Sequence, residues 1–204
     1  QYEKAGNSRG LANALVSKAE LLRSMKDYDG EAATLDRAEK LYSDDEADLG
    51  LANILYFRGE VLRCQNKYKD AEGAFRGAEE KYRKLNDSLG LANILLSRGI
   101  MLFVQKEYEK ALKPLREAYD LYRELLLVGQ EVRCQSVRYL CLMRTDRVGE
   151  AEDIRPQLEA MLPADRFVLC HRACRQQHRC NAAKKCSLFH IVVFGFISFC
   201  EDSE

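Results

Sequence analysis

Six residues of this 204-residue chain have side chains of the type that ligate metals and lie close together in sequence: Cys170, His171, Cys174, His178, Cys180 and Cys186. Thiolate and imidazole are the donors of tetrahedral zinc. His171 adjoins Cys170, however, and from Cys170 through Cys174, His178 and Cys180 to Cys186 the separations leave three, three, one and five residues and form no pair of Cys-x2-Cys knuckles. The spacing does not spell a zinc site, so no metal and no cofactor is expected. All three histidines (His171, His178 and His190) lie within 163–204, which leaves residues 1–162 without a histidine base. There is no phosphate-binding loop pattern and no nucleophile elbow there either. The expectation is a protein that is not an enzyme. The side chains with the right type and spacing for recognition are amides: Asn13, Asn53 and Asn93, forty residues apart. An amide both donates and accepts. A row of them can pair with the N–H and C=O groups of an extended peptide without reading its side chains. The structural alternative is that each asparagine satisfies a neighbouring helix end or loop.

The elements that must position these amides repeat with the same period. Gly-Leu-Ala-Asn occurs at 10–13, 50–53 and 90–93, and Leu15, Leu22, Tyr28, Ala38 and Tyr42 return forty and eighty residues later. A fixed period of 20–50 residues means stacked supersecondary units. Within 48–87, Leu51, Ile54, Leu55, Gly59 and Leu62 mark one helical face; Tyr68, Ala71, Phe75, Ala78, Tyr82 and Leu85 mark a second. The polar stretch 65–67 separates them, and Asn86-Asp87-Ser88 supplies turn and N-cap chemistry. The unit is therefore a pair of antiparallel helices. Gly59, Ala71 and Ala78 fall where two helix axes must approach closely. Glycine costs about 1 kcal/mol in a helix interior, so its return at Gly59 and Gly99 predicts a compensating contact. The units read as 8–47, 48–87, 88–127 and a degenerate 128–162, preceded by a half unit at 1–7; the chain thus begins inside a repeat, and upstream repeats are conceivable. Pro156 does not suit a regular second helix, and Pro114 predicts a kink or a late helix start.

The order Leu55, Gly59, Leu62, Tyr68, Ala71, Phe75, Ala78 resembles the tetratricopeptide repeat (TPR), in a forty-residue variant. The resemblance covers 8–127 well and 128–162 poorly, and 163–204 lie outside it. It departs in lacking Trp and the closing Pro, and in placing Arg58 and Arg98 at positions that are apolar in the family. What the resemblance implies is an all-α fold, an α-solenoid wound as a right-handed superhelix whose first helices line a concave groove. It implies binding of peptides there by scaffolds, co-chaperones or sensors.

On the first helices, the face opposite Gly59 and Leu62 carries Asn53, Tyr56, Glu60 and Arg63; in register the third unit offers Asn93, Leu96, Ile100 and Phe103, and the first offers Asn13. These are the expected peptide-binding residues. Glu20/Arg23 and Glu60/Arg63, three residues apart, read first as helix ion pairs. Leu96, Ile100, Phe103, Leu140 and Met143 would make the far end of the groove apolar, and an exposed apolar patch marks an interface. Arg58, Arg98 and Arg138 form a further ladder, with Lys18 in phase. Its heads are expected to pair with carboxylates of adjacent helices, and a phosphate or an acidic partner is the alternative.

Thirty-two Lys and Arg against thirty-two Asp and Glu give no net charge, which argues against nucleic acid as the partner. Residues 1–10 contain no apolar run, so a cytoplasmic, reducing location is expected. The stretch 163–204 is basic and Cys/His-rich up to 185, then apolar from 188 to 199, too short for a membrane span and a candidate to dock on the groove or cap the last repeat. The leading function is a protein–protein interaction scaffold holding a peptide or partner segment. The alternative is a ligand-sensing segment of a larger signalling ATPase or transcription regulator.

Overall fold

The computed structural model describes residues 7–43 and 48–161. The metal-ligand types at 170–186, the apolar run at 188–199 and all but the last residue of the half unit at 1–7 lie outside the described residues. Among those described, every element is a helix: α1 (Ser8–Ser24), α2 (Tyr28–Ser43), α3 (Asp48–Cys64), α4 (Tyr68–Leu85), α5 (Ser88–Val104), α6 (Tyr108–Glu124), α7 (Val128–Arg144) and α8 (Val148–Met161). The chain divides between residues 94 and 95, inside α5, into two compact units.

In the first unit α1 packs on α2, α2 on α3 and α3 on α4. Ala12, Leu15 and Ala19 of α1, Leu35, Ala38 and Tyr42 of α2, and Ile54, Phe57 and Val61 of α3 form one buried cluster. No hairpin buries its apolar faces alone; the next first helix closes the core of the pair before it. The glycines show how close the approach is. A Cβ on Gly59 would sit 2.5 Å from the Phe75 ring, and one on Gly50 or Gly90 would meet the rings of Tyr42 or Tyr82 at 2.5 and 2.4 Å. The aromatic rings come right up against the helix at these glycines, which is the compensating contact that glycine's helix penalty requires.

In the second unit Gly99 stands in the same relation to Leu115, α6 packs on α7 and α7 on α8. The fourth hairpin inverts the scheme. Gly99 becomes Tyr139, fully buried, and Leu115 becomes Arg155, which pairs with Glu152 and Glu159 at 3.1 and 2.7 Å. Bulk has moved from the second helix to the first. Neither proline ends its helix: α6 starts at Tyr108 ahead of Pro114, and α8 runs through Pro156. Each costs about 3 kcal/mol. The buried stripes Ala111, Leu115, Ala118, Tyr122 and Ala151, Ile154, Leu158 hold the helices regardless.

The turns are uniform. Lys26, Asn66, Asn86, Lys106, Leu126 and Asp146 all have φ between 54° and 64°, a left-handed conformation at intervals of twenty residues or forty where 46 is not described. After each, the next backbone N–H reaches back five residues, as in Asp27 to Leu22 (2.9 Å), Lys67 to Leu62 (2.8 Å) and Arg147 to Leu142 (3.0 Å). This is the Schellman closure, which satisfies carbonyls that the helix end leaves without partners. Asp27 and Asp87 then cap the following helices by accepting the N–H of Gly30 and Gly90 at 2.9 and 3.0 Å.

Candidate binding site

The candidate face of the first unit is built on the first helices α1, α3 and the start of α5. Asn13 is exposed, while Asn53 and Asn93 are half-buried. The Tyr42 hydroxyl, in the last turn of α2, donates to the Asn13 side-chain carbonyl. The Tyr82 hydroxyl, in the last turn of α4, donates to the Asn53 carbonyl at 2.6 Å. Each amide is thus latched by the tyrosine twenty-nine residues on, across its own hairpin. Among the described residues the side-chain N–H2 groups of Asn13 and Asn53 donate to nothing. The row presents donors more than the balanced donor–acceptor pairs that the sequence suggested. The same latch holds the amide geometry fixed, since a hydroxyl donor selects the carbonyl end of the amide.

Tyr56 lies half-buried between Phe57 and Phe75, with ring centroids 5.1 and 6.3 Å away. Glu60 and Arg63 form the expected helix pair as a fork: Nε to Oε1 at 3.1 Å and Nη2 to Oε2 at 3.0 Å, both side chains buried. They make a floor and not an exposed contact. Glu20 and Arg23 do not repeat this. Arg23 stacks over the Phe57 ring (5.2 Å) and places Nη1 3.9 Å from Oε1 of Glu31, too far for a hydrogen bond. Arg23 turns to the buried carboxylate because Glu31, unlike the exposed Glu20, has no access to water.

Glu31 is the residue that sequence reasoning missed. It is 0 % exposed, and both its carboxylate oxygens and Arg23 Nη1 lack hydrogen-bond partners. Burial pushes its pKa up to about 7; Arg23 pulls it down, and Glu60 and Glu20 push it further up. A signal was present: Glu31 stands in register with Ala71, Ala111 and Ala151, each fully buried at the small position of the repeat.

In the second unit Leu96, Ile100 and Phe103 are 4, 4 and 7 % exposed, and Leu140 and Met143 are buried too. The expected open apolar stretch is therefore not surface. The reason lies in α5 itself, which from Leu89 to Val104 holds a single charged residue, Arg98. A helix apolar almost all round is enclosed on every side.

The arginine ladder divides. Arg58 pairs as expected, with Glu39 (3.1 and 2.7 Å) and Asp36 (2.6 Å) of α2. Arg138 has no carboxylate; its one hydrogen bond to a described residue goes to Gln135 Oε1 at 2.6 Å.

Among the described residues no helix is long and apolar enough to cross a membrane, and no group of three or more Cys, His, Asp or Glu could hold a metal ion. Helical hairpins packed in series by a small-on-large scheme define an all-α repeat of the α-solenoid type. The tetratricopeptide repeat family model matches residues 50–124, and this stretch is similar to tetratricopeptide repeats. No curated protein matches it. Tetratricopeptide repeats are in general protein–protein interaction modules and typically non-catalytic.

Proposed function

We propose that the first unit holds an extended segment of a partner protein along its first-helix face, with Asn13, Asn53 and Asn93 as the contact row and Tyr56 beside them. The latch on Asn13 and Asn53 carries this reading. Two amides, forty residues apart in register, are fixed by tyrosines while their N–H2 groups remain available. Donors so arranged suit the carbonyls of an extended backbone, and the pre-set rotamers lower the ordering cost of binding. The Glu60–Arg63 fork stiffens the same helix face one and two turns further on. Leu96, Ile100 and Phe103, expected from the sequence as contacts, are buried and are not part of the contact row.

The test uses a peptide selected from a random library on the full chain. Asn53→Ala removes one donor pair and leaves the helix a better former. Its affinity should fall about two- to tenfold, as the loss of one or two hydrogen bonds implies, while the melting temperature moves little. Asn13→Ala should act likewise, and the double variant should lose the product of the two. Affinity unchanged in both single variants sinks the reading.

A further inference from the structure

The second unit carries an open pocket of about 820 Å³ between α6, α7 and α8. On α7 it is lined by Gln135, Arg138 and Leu142, more than a third of a turn round from Ser136, Leu140 and Met143, so it is not the first-helix face discussed above. Its centre is Arg138. The guanidinium Nε is buried without a hydrogen-bond partner, and Gln135, which accepts from Nη1, is itself held by donating to Gln157 at 2.8 Å.

The repeat shows what this arginine lacks. Arg58 is its counterpart eighty residues earlier, and Arg58 is neutralised by Asp36 and Glu39. Adding eighty to those positions gives Arg116 and Tyr119. The substitution is visible in space: the Tyr119 ring lies 6.0 Å from the Arg138 guanidinium, where Glu39 faces Arg58. One carboxylate has become a ring and the other a second cation. Burial, and then Arg116, hold the Arg138 pKa below the usual guanidinium value, with Asp120 opposing. The other charges of the pocket do not remove the imbalance. Lys113 faces Glu117 at 3.9 Å, and Arg147 is held by Glu150 at 2.6 Å and Glu109 at 2.9 Å. That leaves Arg116, Arg123 and Arg138 against Asp120 and Asp153, none of the first or last two in an ion pair with a described residue.

We infer that the pocket at Arg138 and Arg116 is a second binding site, and that it takes the carboxylate side chain of an acidic segment of a partner protein, in the place that Asp36 and Glu39 fill at Arg58. The assignment to carboxylate rests on the chain's own solution at the equivalent position, where two side-chain carboxylates cover one arginine. A bidentate carboxylate matches the fork of a guanidinium, and a partly buried arginine with few acceptors gains more from it than an exposed one.

The probe is blocked tetraglutamate, with tetraglutamine as control, titrated into the full chain at low salt. Tetraglutamate should bind and tetraglutamine should not, with binding weakened as salt rises. Arg138→Gln should weaken binding about fivefold or more, the scale of one charge-assisted pair. The double variant Arg116→Asp/Tyr119→Glu restores the first unit's partners to Arg138. It should abolish binding and raise the melting temperature together, a coupled result that misfolding does not give, and it decides the matter if Arg138→Gln fails to fold. Asn53→Ala should leave tetraglutamate binding unchanged, which separates this site from the first-helix face. Absence of tetraglutamate binding, or binding untouched by the double variant, overturns the proposal. Inorganic phosphate displacing the peptide at lower concentration than free glutamate overturns the carboxylate assignment.

Discussion

The first and second hairpins share a register but not an interior. At the small position of the second helix, α4 buries the methyl group of Ala71, whereas α2 buries the carboxylate of Glu31. The arginines at the matching place on the first helices behave accordingly. Arg63 is consumed by Glu60 in a fork, and Arg23 is drawn 3.9 Å from Glu31 without a hydrogen bond. A repeat protein sums the stabilities of its units and their interfaces. The difference teaches that one backbone scheme tolerates a buried charge where an arginine of the preceding helix can lean over it, and that the tolerance costs stability.

Ala71→Glu breaks the comparison most severely. Arg63 is already engaged, so the new carboxylate would be buried without a partner. A loss of about 3–5 kcal/mol is expected in denaturant unfolding, the scale of an uncompensated buried charge. The reverse change, Glu31→Ala, should raise stability by about 1–3 kcal/mol at pH 8, the penalty of an unsatisfied buried group. Its pH dependence sharpens the point. The Glu31 pKa is raised from 4.5 to about 7, so the folded state binds the extra proton between those values. The contribution of Glu31 is most favourable below pH 4.5 and is lost as pH rises through about 7. Burial sets it first, and then Arg23 of α1, Glu60 of α3 and Glu20 of α1. The stability gained by Glu31→Ala should therefore be smallest at pH 4 and grow to its full value at pH 8. A pH-independent difference would show that Glu31 is not the titrating group. The smallest effect belongs to the small-on-large contact. Position 59 is Gly against Phe75, and forty residues earlier it is Ala19 against Leu35. Gly59→Ala should cost about 1–2 kcal/mol, overpacking of 1–3 kcal/mol less the helix gain. Gly59→Ala/Phe75→Leu, which copies the first hairpin, should recover much of it. Thermal melts of the single and double variants check this.

Most of the fold could be read from the chain because the repeat states each position three times over. Gly59, Ala71 and Tyr82 are legible as packing residues since their equivalents recur in phase. The tyrosine–asparagine latch was half legible: both partners were noticed as recurring, but not as a pair, because twenty-nine residues of separation have meaning only once the hairpin is folded. Glu31 was hidden by the habit of reading charge as surface, although its register with Ala71, Ala111 and Ala151 gave its location. Leu96, Ile100 and Phe103 were misplaced because a helical wheel assigns one buried face, while α5 has apolar residues on all of them. Pro156, and the late helix start read from Pro114, were given too much weight against the buried stripes that hold their helices.

The left-handed turn residues have a further consequence. Between Asp48 and Met161 no connection exceeds three residues, and each is pinned at both ends by backbone hydrogen bonds. A protease must draw several residues of chain out straight before it can cut, and none of these joints offers them. Any cleavage inside that span has to wait for a hairpin to come undone, so its rate counts openings of single repeats. The chain carries its own clock for how often one unit lets go of the next.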